Sequence, residues 1–175
     1  GIDVIGATTT ANTIQDNLVS GNNGNGIRLA VGAHHNAVYG NVIGTDIGAV
    51  DPLPNGFDGL LIESNANDNS IGGFGPGESN IIAGNTYRGV YIEDAPANGL
   101  LSNWIGTNPT MSAAIGNGRV GVEVWGASGG TVIGAVGAGN TVAYNNTSGH
   151  TSGLTTPGGI AIWYGGTIHV EGNTV

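Results

Sequence analysis

A four-residue pattern of glycine, an aliphatic residue, a variable residue and a second aliphatic residue recurs six times along the chain. Apolar positions that alternate with variable ones at a period of two predict short β-strands with one buried face. The segments occupy residues 1–4, 26–29, 59–62, 89–92, 121–124 and 159–162. Their starts lie 25, 33, 30, 32 and 38 residues apart, so each repeat has room for a few short strands and their turns.

Each of these segments is followed by a second short strand, and a third is visible at 80–85 and 140–143. No segment has helical periodicity long enough to supply a crossover helix, which argues against a doubly wound sheet. Strands this short can stack on equivalent strands of the next repeat, about 4.8 Å away. The chain is therefore predicted to be all-β, a parallel β-helix (a three-sheet β-solenoid) of about five to six coils in a single domain over residues 1–175.

A longer repeat of two coils is superimposed on this pattern. Asn36 recurs as Asn98, 62 residues later, and the same offset relates many positions in units 36–97 and 98–159. A fixed period of this kind marks a repeat array. We expect asparagines at the strand openings to form a ladder at one corner of the coil, bonding turn backbone that the strands leave unpaired. Glycine at the other corners is expected to supply positive φ angles.

Charge is sparse and negative. Three arginines, no lysine and twelve acidic residues give a formal net charge of −9. Nucleic-acid binding depends on clustered basic side chains that displace counterions from phosphates, so nucleic acid is excluded as a partner. No apolar run approaches the ~20 residues that span a bilayer, so no membrane insertion is expected. The chain has no cysteine, which excludes disulfides and thiolate metal sites.

Several phrases resemble the right-handed parallel β-helix repeats of large bacterial extracellular and surface proteins. They lie at residues 41–45, 54–62, 71–73 and 82–85. At the level of fold they are also similar to the pectin-lyase-like superfamily of carbohydrate-binding and sugar-hydrolysing β-helices. The resemblance implies a right-handed coil and a location outside the cell or on its surface. No catalytic motif of that superfamily transfers to a position in this chain.

The two ends of the sequence lead to an expectation about assembly. The chain opens on a strand segment and closes at 172–175 inside a coil, with no capping helix in the pattern. Bare solenoid ends expose apolar residues and unpaired strand edges. We therefore expect a non-enzymatic structural or adhesive module whose partners are further repeats of the same protein or copies of itself, stacked end to end as a filament or surface assembly.

The alternative is a carbohydrate-active face on the first strands of the coils. Stacking predicts two outward columns there, and together these contain acidic and aromatic side chains about 5 to 8 Å apart. The first column is Asp3, Arg28, Leu61, Tyr91, Glu123 and Ala161, and the second is Ile5, Ala30, Glu63, Glu93, Trp125 and Trp163. Arg28 is expected to pair with Asp3.

Paired carboxylates at this spacing are what glycoside hydrolysis requires, and aromatic rings offer faces on which sugars stack. The catalytic candidates of this alternative are Glu63, Glu93 and Glu123, with one acting as acid and another as nucleophile or base. The glycan-binding candidates are Tyr91, Asp94, Trp125, Trp163 and Tyr164. A solvated acidic face whose aromatic residues pack on neighbouring segments explains the same residues without any ligand.

Two further motifs are weaker. Asp46, Asp51 and Asp58 flank one loop and are calcium candidates, although their spacing matches neither an EF-hand loop nor the Gly-Gly-x-Gly-x-Asp nonapeptide, and ordinary turn-forming aspartate is the better explanation. No other cofactor is expected. Asn145 and Asn146 begin two overlapping N-glycosylation acceptor motifs, which matter only if the chain is exported. The histidines, including His150, show no metal-ligand spacing.

Overall fold

The computed structural model describes residues 1–149, 158–164 and 166–175, and within them every regular element is a short strand. Six strands have four residues, and the others have two or three. The strands are β1 (Ile2–Ile5), β2 (Thr13–Gln15), β3 (Leu18–Val19), β4 (Ile27–Ala30), β5 (Ala37–Tyr39), β6 (Val42–Ile43), β7 (Leu60–Glu63), β8 (Ser70–Gly72), β9 (Ile81–Ile82), β10 (Val90–Glu93), β11 (Gly99–Leu101), β12 (Trp104–Ile105), β13 (Val122–Trp125), β14 (Val132–Ile133), β15 (Thr141–Val142), β16 (Ile160–Trp163) and β17 (His169–Val170).

The strands form three parallel sheets that wind into a right-handed β-helix of six coils. The first sheet has the order β1-β4-β7-β10-β13-β16, the second β17-β14-β11-β8-β5-β2 and the third β15-β12-β9-β6-β3. Each coil adds one strand to each sheet, and the sixth coil reaches the third sheet through a parallel bridge between Thr141 and Thr174. The predicted fold class, sheet number and coil number are confirmed.

The core is a set of stacked aliphatic side chains at the centre of the coils. Inward positions of successive strands lie in register, as Ile62, Ile92 and Val124 do in the first sheet. All three are fully buried. Each of the first five coils contributes inward side chains from all three sheets to one continuous apolar cluster, and Ile160 of the sixth coil packs against it. Because every layer repeats the one before it, burial of these columns drives the stacking of the coils.

Asparagine ladders run along all three corners of the solenoid, whereas the sequence led us to expect one. The corner before the second sheet holds Asn12, Asn36, Asn69 and Asn98; the corner before the third holds Asn17, Asn41, Asn80, Asn103, Asn140 and Asn173; the corner after it holds Asn22, Asn55, Asn85, Asn117 and Asn145. The prediction of a single ladder was wrong because asparagine at the other corners reads equally well as an ordinary turn residue.

Each asparagine of a ladder is called a rung, and in a buried rung both the Nδ2 and the Oδ1 of the side-chain amide have hydrogen-bond partners. The Asn80 Nδ2 donates to Asn103 Oδ1 and to the Val38 carbonyl, both at 2.8 Å. Its Oδ1 accepts from the main-chain N and from Nδ2 of Asn41, both at 3.0 Å. These bonds also satisfy turn backbone groups that no strand pairs.

Left-handed backbone precedes several rungs and turns the chain at the corner. Gly40 has a φ of 68° and comes before Asn41. Ser102, with a φ of 57°, takes the same conformation before Asn103, so glycine is not the only residue used for this purpose. A single non-glycine residue in this conformation costs about 1 to 3 kcal/mol and persists because the surrounding structure fixes it.

Long loops leave alternate coils at the third corner. Coils two and four carry loops 45–54 and 107–116 at the third corner, closed by antiparallel bridges between Thr45 and Pro52 and between Thr107 and Ala114. In coil three the same corner is a tight turn at Gly84. The loops therefore project side by side with one short turn between them.

The ladder at the first corner stops after Asn98. Thr131 occupies the next position, immediately before β14, and is fully buried. Its Oγ1 has no hydrogen-bond partner among the described residues. A buried hydroxyl left without a partner costs about 1 to 3 kcal/mol, so this position is a weak point of the solenoid.

Replacing an inner rung is expected to destabilise the protein far more than replacing an end rung. Asn80→Ala removes the acceptor of two donors of Asn41 and one donor to the Val38 carbonyl. We expect a loss of about 3 kcal/mol in the free energy of unfolding. Asn17→Ala, in the first coil, is the matched control and should cost about 1 kcal/mol. Urea denaturation measures both, and equal losses would contradict the role assigned to the ladder.

Extending the first ladder is expected to stabilise the protein. In Thr131→Asn the new Oδ1 accepts from Asn98, and the free energy of unfolding should rise by about 1 kcal/mol. Thr131→Asp is the control, because it offers a similar shape and an acceptor but no amide donor and brings a buried charge. Thermal denaturation should rank asparagine above threonine and threonine above aspartate. Destabilisation by Thr131→Asn would contradict this account.

Candidate functional site

The outer face of the first sheet has the two columns that the sequence predicts. Strand register pairs Asp3 with Arg28, Tyr91 with Glu123 and Glu123 with Ala161 in the first column. In the second column Glu63, Glu93, Trp125 and Trp163 are consecutive register neighbours. The sheet therefore brings the predicted acidic and aromatic residues together. We call the surface formed by Glu63, Tyr91, Glu93, Asp94, Glu123, Trp125, Trp163 and Tyr164 the acidic aromatic face.

Arg28 pairs with Glu63 and not with Asp3, which corrects the expectation from sequence. The Arg28 Nε lies 2.7 Å from the Glu63 Oε1, and an Nη2 contact to the same oxygen completes the pair. Both side chains are less than one-third exposed. The long arginine side chain crosses diagonally to the next coil, where it passes Leu61, its apolar register neighbour. Asp3 stays outside this pair.

Arg88 lies at the centre of a buried charge cluster that spans three coils. Its Nε bonds Glu123 of the following coil, and its Nη1 lies 3.5 Å from Asp58 Oδ1 of the preceding coil. The Arg88 main-chain N also donates to Asp58 Oδ1, at 3.0 Å. Its Cζ lies 3.9 Å from the centre of the Tyr91 ring. The guanidinium thus neutralises two acids and packs on an aromatic ring at the same time.

Burial and neighbouring charges shift the pKa values of Asp58 and Tyr91 in this cluster. Burial raises the pKa of the Asp58 carboxyl, and the neighbouring Arg88 charge offsets this only in part. Burial, followed by the nearby Glu93 charge, also raises the pKa of the Tyr91 hydroxyl. Tyr91 therefore remains a neutral phenol that donates a hydrogen bond to Glu93.

The three candidate glutamates differ in their surroundings. Glu63 and Glu123 each bond an arginine, whereas Glu93 accepts from the Tyr91 hydroxyl. Glu123 is also buried. A general acid must carry a transferable proton and reach the substrate. Direct ion pairing of two carboxylates favours a role in holding the sheet surface together over a role in proton transfer.

The aromatic members form an exposed end of the face. The rings of Trp125 and Tyr164 meet edge to face, with centres 5.3 Å apart and planes at 76°. Trp125 is 37% exposed and Tyr164 83%, so both offer ring surface to solvent. Trp163 lies next to Trp125 in the sheet. Asp94 contributes a turn contact, because its Oδ1 accepts from the main-chain N of Ala127 at 2.7 Å.

Two of the three calcium candidates, Asp46 and Asp58, have carboxylates that bond protein groups. The Asp46 Oδ1 accepts from the main-chain N of Val50 and of Asp51, both at 2.8 Å. These hydrogen bonds, that of Val50 first, lower the pKa of Asp46. Asp58 belongs to the Arg88 cluster. Across the described ranges, no three histidine or acidic side chains converge in a way that would hold a metal ion.

The two glycosylation candidates have different places in the solenoid. Asn145 is a ladder rung whose Nδ2 donates to the carbonyls of Ala143, at 2.9 Å, and Ile105, at 3.1 Å. Asn146 follows in a left-handed conformation with φ of 70°, and its Oδ1 is buried without a partner among the described residues. A glycan on Asn145 would require the rung to leave the ladder. His150 lies outside the described residues.

A groove between the loops of coils two and four was not foreseen from the sequence. It has a volume of about 520 Å³ and is walled by Pro52 and Pro54 on one side and Ile115 on the other. Its floor is the short turn at 84–86. The Asn108 Nδ2 donates to the Ala49 carbonyl, at 3.2 Å, and ties the two loops together. The signal in the sequence was two loops one repeat period apart with a short turn between them.

Comparisons with known proteins give no further guide to the site. No protein-family model matches the chain, and no curated protein or solved structure matches it either. Among the described residues no helix is long and apolar enough to cross a membrane. The function must therefore be argued from the surfaces of the solenoid.

The raised pKa of Asp58 predicts a specific dependence of stability on pH. Between its ordinary value of 3.8 and its higher folded-state value, the folded chain retains a proton that the unfolded chain has lost. The free energy of unfolding of the wild type should therefore fall relative to Asp58→Asn as the pH rises from about 4. Urea denaturation across pH 3 to 7, roughly the range in which carboxylates titrate, measures this difference.

Asp46→Asn is the matched control because the pKa of Asp46 is lowered by hydrogen bonds. For that pair the wild type should lose stability relative to the variant as the pH falls below about 4. The same trend for both pairs, or no dependence on pH for Asp58→Asn, would contradict the assigned environments.

Proposed function

We propose that the chain is a structural or adhesive module of an extracellular or cell-surface protein and that its end coils stack on further coils of the same kind. The additional coils belong to the same polypeptide or to another copy. The observation that carries the proposal is the equivalence of the layers, because successive coils bond one another through the same sheets and the same second-corner ladder, so a further coil can be added with contacts that the coils already use.

Apolar exposure at the last coil supports the proposal. Ile162 and Val170 follow Val124 and Ile133 in their columns but are 42% and 44% exposed, whereas those neighbours are fully buried. Val175, beside the last bridge of the third sheet, is 73% exposed. These side chains occupy core positions. A further coil would cover them, and each Å² of apolar area buried contributes roughly 25 cal/mol.

The strand edges support the same conclusion. The outer edges of β1 and β16 each expose a row of main-chain donors and acceptors, which is a template for pairing with another parallel strand. The location outside the cell rests on the resemblance of the segments at 41–45 and 82–85 to repeats of bacterial surface proteins. A chain without cysteine or clustered basic residues suits a scaffold with no redox or nucleic-acid chemistry.

Self-association of the chain of 175 residues tests the proposal. We expect rods in electron microscopy whose lengths increase in steps of about 29 Å, the height of six coils at ~4.8 Å each. Sedimentation velocity should show oligomers that grow with protein concentration. Monodisperse single solenoids at all concentrations would contradict the proposal.

A second candidate function, glycan binding, is favoured by the exposed Trp125 and Tyr164 rings. The rings lie beside Glu93 at one end of the acidic aromatic face and offer the stacking surface that sugars use. The pectin-lyase-like resemblance is consistent with such a ligand.

Retention on insoluble neutral polysaccharides tests this candidate. Tyr164→Ala and Trp125→Ala should each reduce retention about tenfold, as expected for a lost stacking contact. Tyr144→Ala is the control, since Tyr144 is 54% exposed but lies at the third corner. Equal retention of all variants would contradict glycan binding. Release of reducing ends that is lost in Glu93→Gln would indicate hydrolysis, the enzymatic form of this alternative.

A further inference from the structure

The groove between loops 45–54 and 107–116 has the thickness of one missing loop. Coils two and four carry these loops, and coil three between them turns at Gly84 without one. Because successive coils are ~4.8 Å apart, the slot between the two loops is one layer thick. Atoms in van der Waals contact lie about 3.5 to 4 Å apart, so such a slot admits a single flat ring or a single extended chain.

The walls of the groove are held in place by the protein itself. The Gly84 main-chain N donates to the Ile115 carbonyl, at 2.7 Å, and joins the floor to the loop of coil four. Gly84 also lets Pro52 pack on the floor, since a Cβ at residue 84 would lie 3.1 Å from the Pro52 Cβ. Where the two loops meet, Ala49 and Asn108 are both buried. The groove is therefore preformed, and a ligand enters it without reordering the loops.

The lining of the groove is uncharged. Among the described residues, none of those that line it has an ionisable side chain. A charged ligand would lose its hydration there without gaining a partner for its charge. The net charge of −9 adds repulsion for any anion. The groove therefore favours uncharged ligands.

The polar side chains of the lining are already engaged within the protein. The Thr86 Oγ1 donates to the Asn55 carbonyl, at 2.8 Å, and the hydroxyls of Thr147 and Ser148 also donate to main-chain carbonyls. The Asn85 Nδ2 donates within the third-corner ladder. A sugar or a peptide brings many donors and acceptors that would need partners here. The lining suits a ligand with few polar groups.

We propose that this groove is a binding site for a small uncharged aromatic compound, whose ring lies between Pro52 and Pro54 on one side and Ile115 on the other. The volume of about 520 Å³ falls within the roughly 300 to 1,000 Å³ of small-molecule sites. A flat ring fills the slot and gains apolar contact on both faces. The site is separate from the acidic aromatic face and from the stacking of the coils.

Titration with indole, which is flat and uncharged, tests the site. The methyl resonances of Val50 and Ile115, which line the groove, should shift and saturate in carbon-13-labelled protein. The methyls of Val136, which is 78% exposed in another turn, should not shift. Intermolecular nuclear Overhauser effects from indole to the Ile115 methyls locate the ring in the wild-type chain without any substitution.

Charged analogues test the assigned ligand class. Indole-3-carboxylate carries the same ring with a negative charge, and tryptamine carries it with a positive charge. Each should bind about tenfold or more weakly than indole, because its charge loses hydration without a partner. Salt at about 0.15 M screens the long-range field of the protein in these titrations. Tighter binding of either ion would overturn the assigned class.

A substitution that fills the groove tests its location. Ala114 is exposed, lines the groove and pairs through its main chain with Thr107, so Ala114→Trp places an indole ring in the slot. The affinity for free indole should fall about tenfold or more. Met111→Trp is the matched control, because Met111 is 55% exposed on the same loop but outside the groove. It should leave the affinity unchanged, and far-UV circular dichroism verifies that both variants fold.

Three results would overturn the site. The first is the absence of saturable shifts at Val50 and Ile115. The second is that indole contacts only Trp125 and Tyr164, which would place it on the acidic aromatic face. The third is an affinity that does not respond to the filled groove, or that falls equally in the control variant.

Discussion

The buried asparagine rung is the interaction on which the rest of the structure depends. Tight corners leave main-chain donors and acceptors that no sheet can pair, and burial makes each of them costly. A side-chain amide has two donor hydrogens and two acceptor lone pairs, which is the set that a corner between identical coils requires. Asn80 and its equivalents supply that set, so the chain can turn at a corner that carries an inner rung and keep the polar groups of that rung satisfied.

Ladder and core depend on each other. The aliphatic columns fix the rise of the coil, and that rise brings consecutive amides within 3 Å of one another, at 2.8 Å for Asn80 and Asn103. On the outer face of the first sheet the same rise lets Arg88 bridge acids one coil before and one coil after it. Two arginines, Arg28 and Arg88, thus pair with three acids, because the solenoid sets the spacing of the charges.

The sequence was sufficient for the fold and for the columns of the acidic aromatic face, because alternation along a strand and stacking between coils fix which side chains are neighbours. The sequence did not predict the partner of a long side chain that has several polar neighbours within reach. Arg28 pairs diagonally with Glu63 of the next coil and not with the adjacent Asp3, and which acid it reaches depends on rotamers and burial. It also failed at the corners, where an asparagine in a ladder and an asparagine in a solvated turn have the same local sequence. The groove beside Pro52 depends on how two loops lie across a third coil, which no local pattern encodes.

The ends of the solenoid and its outer face offer different kinds of surface. The ends present open ladders, strand edges and apolar core positions such as Ile162, which suit another coil. Much of the outer face is already satisfied by its own ion pairs, apart from the exposed rings of Trp125 and Tyr164. Cryo-electron microscopy of the assembled material tests this division most directly. The account predicts a junction at which the ~4.8 Å stacking of the coils continues from one copy into the next. Copies that meet through the outer face, with their end coils apart, would contradict it.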